Sequence, residues 1–176
     1  MLQTTKTNVI YKKRHKELKH GHIQLIQNLS KDTMWADVVT AGPDSILKSG
    51  DEILLSARPV SYEFEFDGEL MYNTSDASTM SYKRNGVLGA TCGTILYEWI
   101  EEPEKVTESG IVIIEKVANQ ELQPRWAFVH AAGPDSGVMK GDNVLLAFKS
   151  DAYTIHIDGI ELHNAGKEEV IAFTRL

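Results

Sequence analysis

The feature that most constrains this chain is a phrase spelled twice, WADVVTAGPDSILKSGDEILL from Trp35 and WAFVHAAGPDSGVMKGDNVLL from Trp126. Adding 91 to a first-half number carries Trp35 to Trp126, Gly42-Pro43-Asp44-Ser45 to Gly133-Pro134-Asp135-Ser136, and Gly50-Asp51 to Gly141-Asp142, without a gap. Twelve of the 22 positions from Trp35 to Ser56 are identical, too many for chance in so short a window. The register continues through Tyr62/Tyr153, Asp67-Gly68/Asp158-Gly159 and Asn73/Asn164, and it lays TMSYKR (Thr79 to Arg84) over VIAFTR (Val170 to Arg175). Upstream the offset shrinks: NVIYKK (Asn8 to Lys13) matches TILYEW (Thr94 to Trp99), and Gly21 matches Gly110, so the second copy carries extra residues before that glycine. A period this long implies duplication of a whole domain, since solenoid units are much shorter. The expected units are residues 1–86 and 87–176, joined near KRNGVLGATCG.

Each copy reads as β. NVIY, IQLIQ, ADVVTA, DEILLS, YEFEF and STMSY are short apolar or alternating runs rich in Val, Ile, Tyr and Phe, punctuated by Gly, Pro, Asn, Asp and Ser. In AGPDS the proline presets φ and the Asp and Ser can bond nearby backbone, which makes a turn. FDGEL and IDGIEL carry the Asp-Gly pair of a tight hairpin. Six such strands in under ninety residues, with helical periodicity nearly absent, predict an all-β chain of two tandem small β-barrels, closure being one way to remove exposed sheet edges.

Composition narrows the function classes. The net charge of -7 falls entirely in residues 87–176, with seven Lys or Arg against fourteen Asp or Glu, while residues 1–86 balance at eleven each. A nucleic-acid binder concentrates positive charge on one face, and the basic cluster here is confined to Lys12, Lys13, Arg14, Lys16 and Lys19, read as a solvated strand end or loop. Neither a nucleic-acid nor a membrane partner is expected, because no apolar run approaches the roughly eighteen residues of a span. The basic start lacks the apolar core of a secretory signal, and a lone Cys92 fits a reducing compartment, so the expected location is the cytoplasm.

Catalytic and metal signals are weak. The six histidines are His15, His20, His22, His130, His156 and His163, and His20 and His22 have no counterparts in the second copy; no metal site or cofactor is expected. Ser45 and Ser136 recur in GPDS but lack the nucleophile-elbow pattern, so no catalytic residue is assigned. Asp51 and Asp142 follow glycine at a strand start and read as turn formers.

A first strand, a polar loop ending in Gly-Ile-Val-Ile-Ile, the WAFVHAAGP strand, the KGDNVLL strand and YTIHIDGIELHNAGKEEVIAF together resemble the small co-chaperonin family, the GroES-like lids of barrel-shaped chaperonins. The likeness covers residues 93–174 and, more loosely, 7–84, a tandem layout similar to the double-domain co-chaperonin of chloroplasts. The resemblance implies two tandem GroES-like barrels and a mobile loop in EEPEKVTESGIVIIEK that docks in the apolar groove of a large chaperonin ring. Ser109 and Gly110 would be its hinge and Ile111, Val112 and Ile113 its docking residues, with self-association into a ring. The charged, proline-containing stretch before that tip is too poor in apolar residues to be buried, so flexibility is expected from Glu101 to Ser109. In the first copy the equivalent segment, KELKHGHIQLIQ, is shortened, and a secondary docking set would be His22, Ile23, Gln24 and Leu25. The family's roof hairpin is reduced to a minimal turn in GPDSILKSGD and GPDSGVMKGD, like the wider lids of some bacterial viruses. The alternative reading is a virion decoration or cement protein that kept the barrel and contacts capsid protein instead.

Overall fold

Two sheets with one strand order express the duplication. The computed structural model describes residues 2–14, 19–20, 23–24, 35–55, 61–101, 105–106, 112–113, 123–147 and 154–175. The first sheet and its ribbon comprise β1 (Asn8–Lys13), a ribbon of β2 (Lys19–His20) and β3 (Ile23–Gln24), β4 (Trp35–Ala41), β5 (Glu52–Leu55), β6 (Tyr62–Phe66), β7 (Glu69–Ser75), β8 (Thr79–Arg84) and, from the start of the second copy, β9 (Val87–Ala90). The second has β10 (Thr94–Trp99), a ribbon of β11 (Lys105–Val106) and β12 (Val112–Ile113), then β13 (Arg125–Ala132), β14 (Asn143–Leu146), β15 (Thr154–Ile157), β16 (Ile160–Gly166) and β17 (Val170–Thr174). Helix among the described residues is confined to two three-residue 3-10 turns, Asp76–Ser78 and Lys167–Glu169.

The sheet orders are β6-β7-β1-β4-β5-β8-β9 and β15-β16-β10-β13-β14-β17, the same sequence of neighbours except for β9. Every strand pairing among the described residues is antiparallel, and irregularities recur at equivalent places, between Ile10/Tyr11 and Leu96/Tyr97, and between Leu54/Leu55 and Leu145/Leu146. The expected closure differs: among the described residues the edge strands of each sheet are not paired, so both sheets are open. Closure is not needed where an edge is covered otherwise, and β9 covers one. It follows β8 through Asn85 and Gly86, both at positive φ as a two-residue hairpin demands, and hydrogen-bonds into the first sheet before the chain enters the second.

Alternation along each strand builds the cores. Val9, Tyr11, Ala36, Val38, Leu47, Ile53, Leu55 and Tyr72 form one cluster, and Ile95, Tyr97, Ala127, Val129, Val138, Val144, Leu146 and Ala165 form its equivalent. A third cluster is made by both copies. Leu54, Met80 and Ala90 of the first sheet pack with Leu96, Ala131, Ile155, Ile157 and Leu162 of the second, flanked by Trp35 and Leu88. Burying a side chain such as Leu96 or Ile155 contributes about 1.5–3 kcal/mol, so this contact is a substantial share of the molecule's stability. Lys83 Nζ adds an ion pair across it to Asp158 at 2.8 Å.

Candidate functional site

The segments expected to dock on a partner fall at one topological point in both copies. After β1 the chain forms the β2–β3 ribbon, pairing Lys19 with Gln24 and His20 with Ile23. After β10 it forms the β11–β12 ribbon, pairing Lys105 with Ile113 and Val106 with Val112. Between the paired residues stand Gly21 and His22 in the first ribbon and the five residues 107–111 in the second, all outside the described residues. Of the expected docking residues, then, Val112 and Ile113 occupy a strand, as do Ile23 and Gln24, whereas Ser109, Gly110, Ile111, His22 and Leu25 lie outside the described residues. Part of the stretch from Glu101 to Ser109 pairs as strand, at Lys105 and Val106.

Both ribbons leave their sheets from equivalent anchors. Arg14 N–H donates to the Trp35 carbonyl at 3.3 Å and Ile100 N–H to the Trp126 carbonyl at 3.1 Å. Around those anchors the chemistry diverges. In the first copy the Arg14 guanidinium donates to Asp37 at 2.9 Å and Glu52 at 3.0 Å, and its pKa is raised, first by the Asp37 bond. Lys12 pairs with Glu69 and Lys13 lies 3.8 Å from the Tyr72 ring centre. Three members of the basic cluster are thereby engaged within the fold, at the start of the ribbon and not as a free patch. In the second copy Tyr97, Trp99 and His163 cluster, Trp99 edge-on to Tyr97 and His163 tilted against both, with the Arg125 guanidinium 4.7 Å from the Trp99 ring centre. Burial pushes the His163 imidazole below its ordinary value, which favours the neutral ring inside this aromatic cluster.

The remaining candidates are turn clamps. Ser45 is buried and its hydroxyl donates to Asp76 Oδ1 at 2.5 Å, while Asp76 Oδ2 accepts the Ile46 N–H at 3.0 Å. Lys167 replaces Asp76 in the second copy, and there the Ser136 hydroxyl donates to the Gly133 carbonyl at 2.7 Å. Asp51 and Asp142 close their turns by accepting the N–H groups of Lys48 at 2.7 Å and Met139 at 2.8 Å. Each carboxylate also meets an arginine near the end of its copy, Arg84 to Asp51 at 2.7 Å and Arg175 to Asp142 at 3.0 Å. Sequence reasoning assigned the turns but missed these ion pairs. The available signal was that both members of each pair recur at the same offset.

Among the described residues His130, His156 and His163 do not gather: His130 meets Glu98 at 3.1 Å, His156 is exposed, and His163 sits in the aromatic cluster. Among the described residues no three His, Cys, Asp or Glu side chains come together as a metal site requires. Among the same residues no helix is long and apolar enough to cross a membrane. No protein-family model matches the chain, and no curated protein matches it.

Proposed function

We propose that this chain is a co-chaperonin: two tandem GroES-like barrels that self-associate into a ring, cap a large ATP-driven chaperonin in the cytoplasm and have no catalytic residue of their own. The observation that carries the reading is the ribbon that follows the first strand of each copy, one of whose arms, in the second copy, holds Val112 and Ile113 of the Gly110-Ile111-Val112-Ile113 run. Apolar residues on a narrow two-stranded ribbon can add main-chain bonds and seat alternate side chains in a groove. Weak single contacts multiplied around a ring give firm yet releasable capping. The resemblance in strand and loop order supports the same reading, with Ser109 and Gly110 as hinge and the first ribbon, around His22 to Leu25, as a lesser contact.

The test is competition with a GroES-type lid for a chaperonin ring in the presence of nucleotide. The parent protein should displace the lid, and Ile111→Ser/Ile113→Ser should lose at least tenfold in affinity. Equal binding by the double variant, or no binding by the parent, sinks the lid reading. The brief first ribbon and the minimal Gly42 to Gly50 connection favour a second reading, a virion structural protein that grips capsid subunits through the same ribbons. Co-sedimentation with assembled capsid, without chaperonin binding, would be its signature.

A further inference from the structure

The roots of the two ribbons are built on one plan and differ in one chemical property. In the second copy the chain leaves β10 at Trp99, forms the β11–β12 ribbon and returns as β13 at Arg125. His163 on β16 stands opposite Tyr97 in the sheet. Its ring centre lies 5.6 Å from that of Tyr97 and 6.0 Å from that of Trp99, while Arg125 occupies the Trp99 ring. With the offsets of the repeat, Tyr97, Trp99 and His163 correspond to Tyr11, Lys13 and Tyr72. Tyr72 stacks on Tyr11 at 5.5 Å, and the Lys13 ammonium lies 3.8 Å from the Tyr72 ring centre. Each root therefore packs a ring and a cation around a buried tyrosine, Tyr11 or Tyr97. Of the rings, the His163 imidazole is the one whose type changes charge near neutral pH.

The groups around His163 come from every element packed on it. On its own strand Glu161 Oε1 lies 3.4 Å from Nε2, and β15 places His156 opposite Glu161 and the uncharged Thr154 opposite His163. β10 offers Tyr97 and Trp99, its Glu98 being engaged with His130; β13 offers Arg125; and Glu169, in the turn before β17, acts on Tyr97. The His163 side chain is 14% exposed, so an imidazolium there is stripped of most of its water. Arg125 repels that charge and already takes up the cation–π attraction of Trp99, whereas Glu161, 58% exposed, attracts it through solvent screening. Burial accordingly holds the folded pKa below 6.5, with Glu161 opposing and Arg125 adding to the shift. The packed neutral ring stabilises this root in full above pH 6.5, and the contribution is lost as pH falls from 6.5 through the folded value. In the first copy burial pushes the Tyr72 hydroxyl above 10.0 and Glu63 opposite pushes it the same way, so that ring stays neutral throughout.

We infer that this cluster is a pH-operated clasp on the second ribbon alone: a protonated His163 leaves Tyr97 and Trp99 for Glu161 and water, and the ribbon root opens with it. Ile100 follows Trp99 directly and Trp126 follows Arg125. The bond from Ile100 N–H to the Trp126 carbonyl, 3.1 Å, is thus held by the neighbours of the two residues that the cluster fixes. When the imidazole departs, Trp99 keeps Tyr97 but loses its second ring partner, and the chain beyond it loosens. The counterpart bond, from Arg14 N–H to the Trp35 carbonyl at 3.3 Å, adjoins the tyrosine pair and holds. The duplication thereby supplies its own comparison, a root with the ring present and the switch absent. The clasp governs where the ribbon sits and is independent of what the ribbon binds, so the lid reading can fail without it.

Amide hydrogen exchange of the whole protein, followed by NMR at Ile100 and Arg14, is the test. Between about pH 7.5 and about pH 5 the protection of Ile100, corrected for the intrinsic rate, should fall roughly tenfold while that of Arg14 holds. His163→Tyr, which installs the first copy's residue, should keep Ile100 protected across the range. Glu161→Gln, at an exposed site, should move the midpoint to lower pH, because the imidazolium loses its acceptor. A parent whose Ile100 protection is flat overturns the clasp. So does parallel loss at Ile100 and Arg14, which marks general acid destabilisation, and so does a midpoint that Glu161→Gln leaves in place or a pH dependence that survives His163→Tyr.

Discussion

At the scale of single residues, the duplicated Gly-Asp pair is the most instructive. Asp142 sits buried at the start of β14, and Arg175 holds its carboxyl below the ordinary value near 3.8. The hydrogen bond from Arg175 is the larger cause, and the Met139 N–H assists. A carboxylate with a depressed folded pKa stabilises the native state at pH above its unfolded value and loses that contribution as pH falls through the folded one. Asp142→Asn is therefore expected to lower Tm by several degrees at pH 6, with the difference from the parent shrinking below pH ~3.8. Thermal melts across that range decide it, and a difference independent of pH would sink the assignment. The turn role of Asp142 could be read from Gly-Asp alone. Its arginine partner is 33 residues away, and only the folded sheet brings them together.

At the scale of elements, the corner after β4 and β13 shows why the repeated phrase is kept. A Cβ on Gly42 would lie 2.1 Å from Lys6 O, and one on Gly133 the same distance from Cys92 O. The backbones cross too closely for any side chain, and strand order forces that crossing. Gly133→Ala is expected to cost about 1–3 kcal/mol as the strands move apart, measurable by urea unfolding, with Gly42→Ala similar. Neutral behaviour at both sites would show the crossing to be loose. Strand identity was legible in period-two patterning, and the Asp-Gly hairpins sit where expected, with Asp67, Gly68, Asp158 and Gly159 all at positive φ. The pairing of Lys105 and Val106 with Val112 and Ile113 was not legible, because a charged stretch carries no apolar alternation to reveal a strand.

At the scale of the whole molecule, the shared cluster couples the copies. Leu96 is fully buried between them, so Leu96→Ala is expected to cost about 2–5 kcal/mol. The loss should shift one calorimetric transition that includes both sheets. Two transitions, only one of them moved, would show that the sheets fold independently. Val87→Ser, at an exposed site on β9, is the control and should change little.

The sequence by itself determined the duplication, the β class, the turns and the place where the copies diverge, because each of these is written in local residue order and a fixed offset. Tertiary structure alone decided that the sheet edges stay unpaired among the described residues, that Val87–Ala90 pairs with the first sheet's edge, and which arginine meets which carboxylate. It also decided that identical positions have opposite fates, Met80 buried and Ile171 exposed. Burial is a property of what packs against a face. Two equivalent faces in one chain differ when the joint lets the chain cover only one of them.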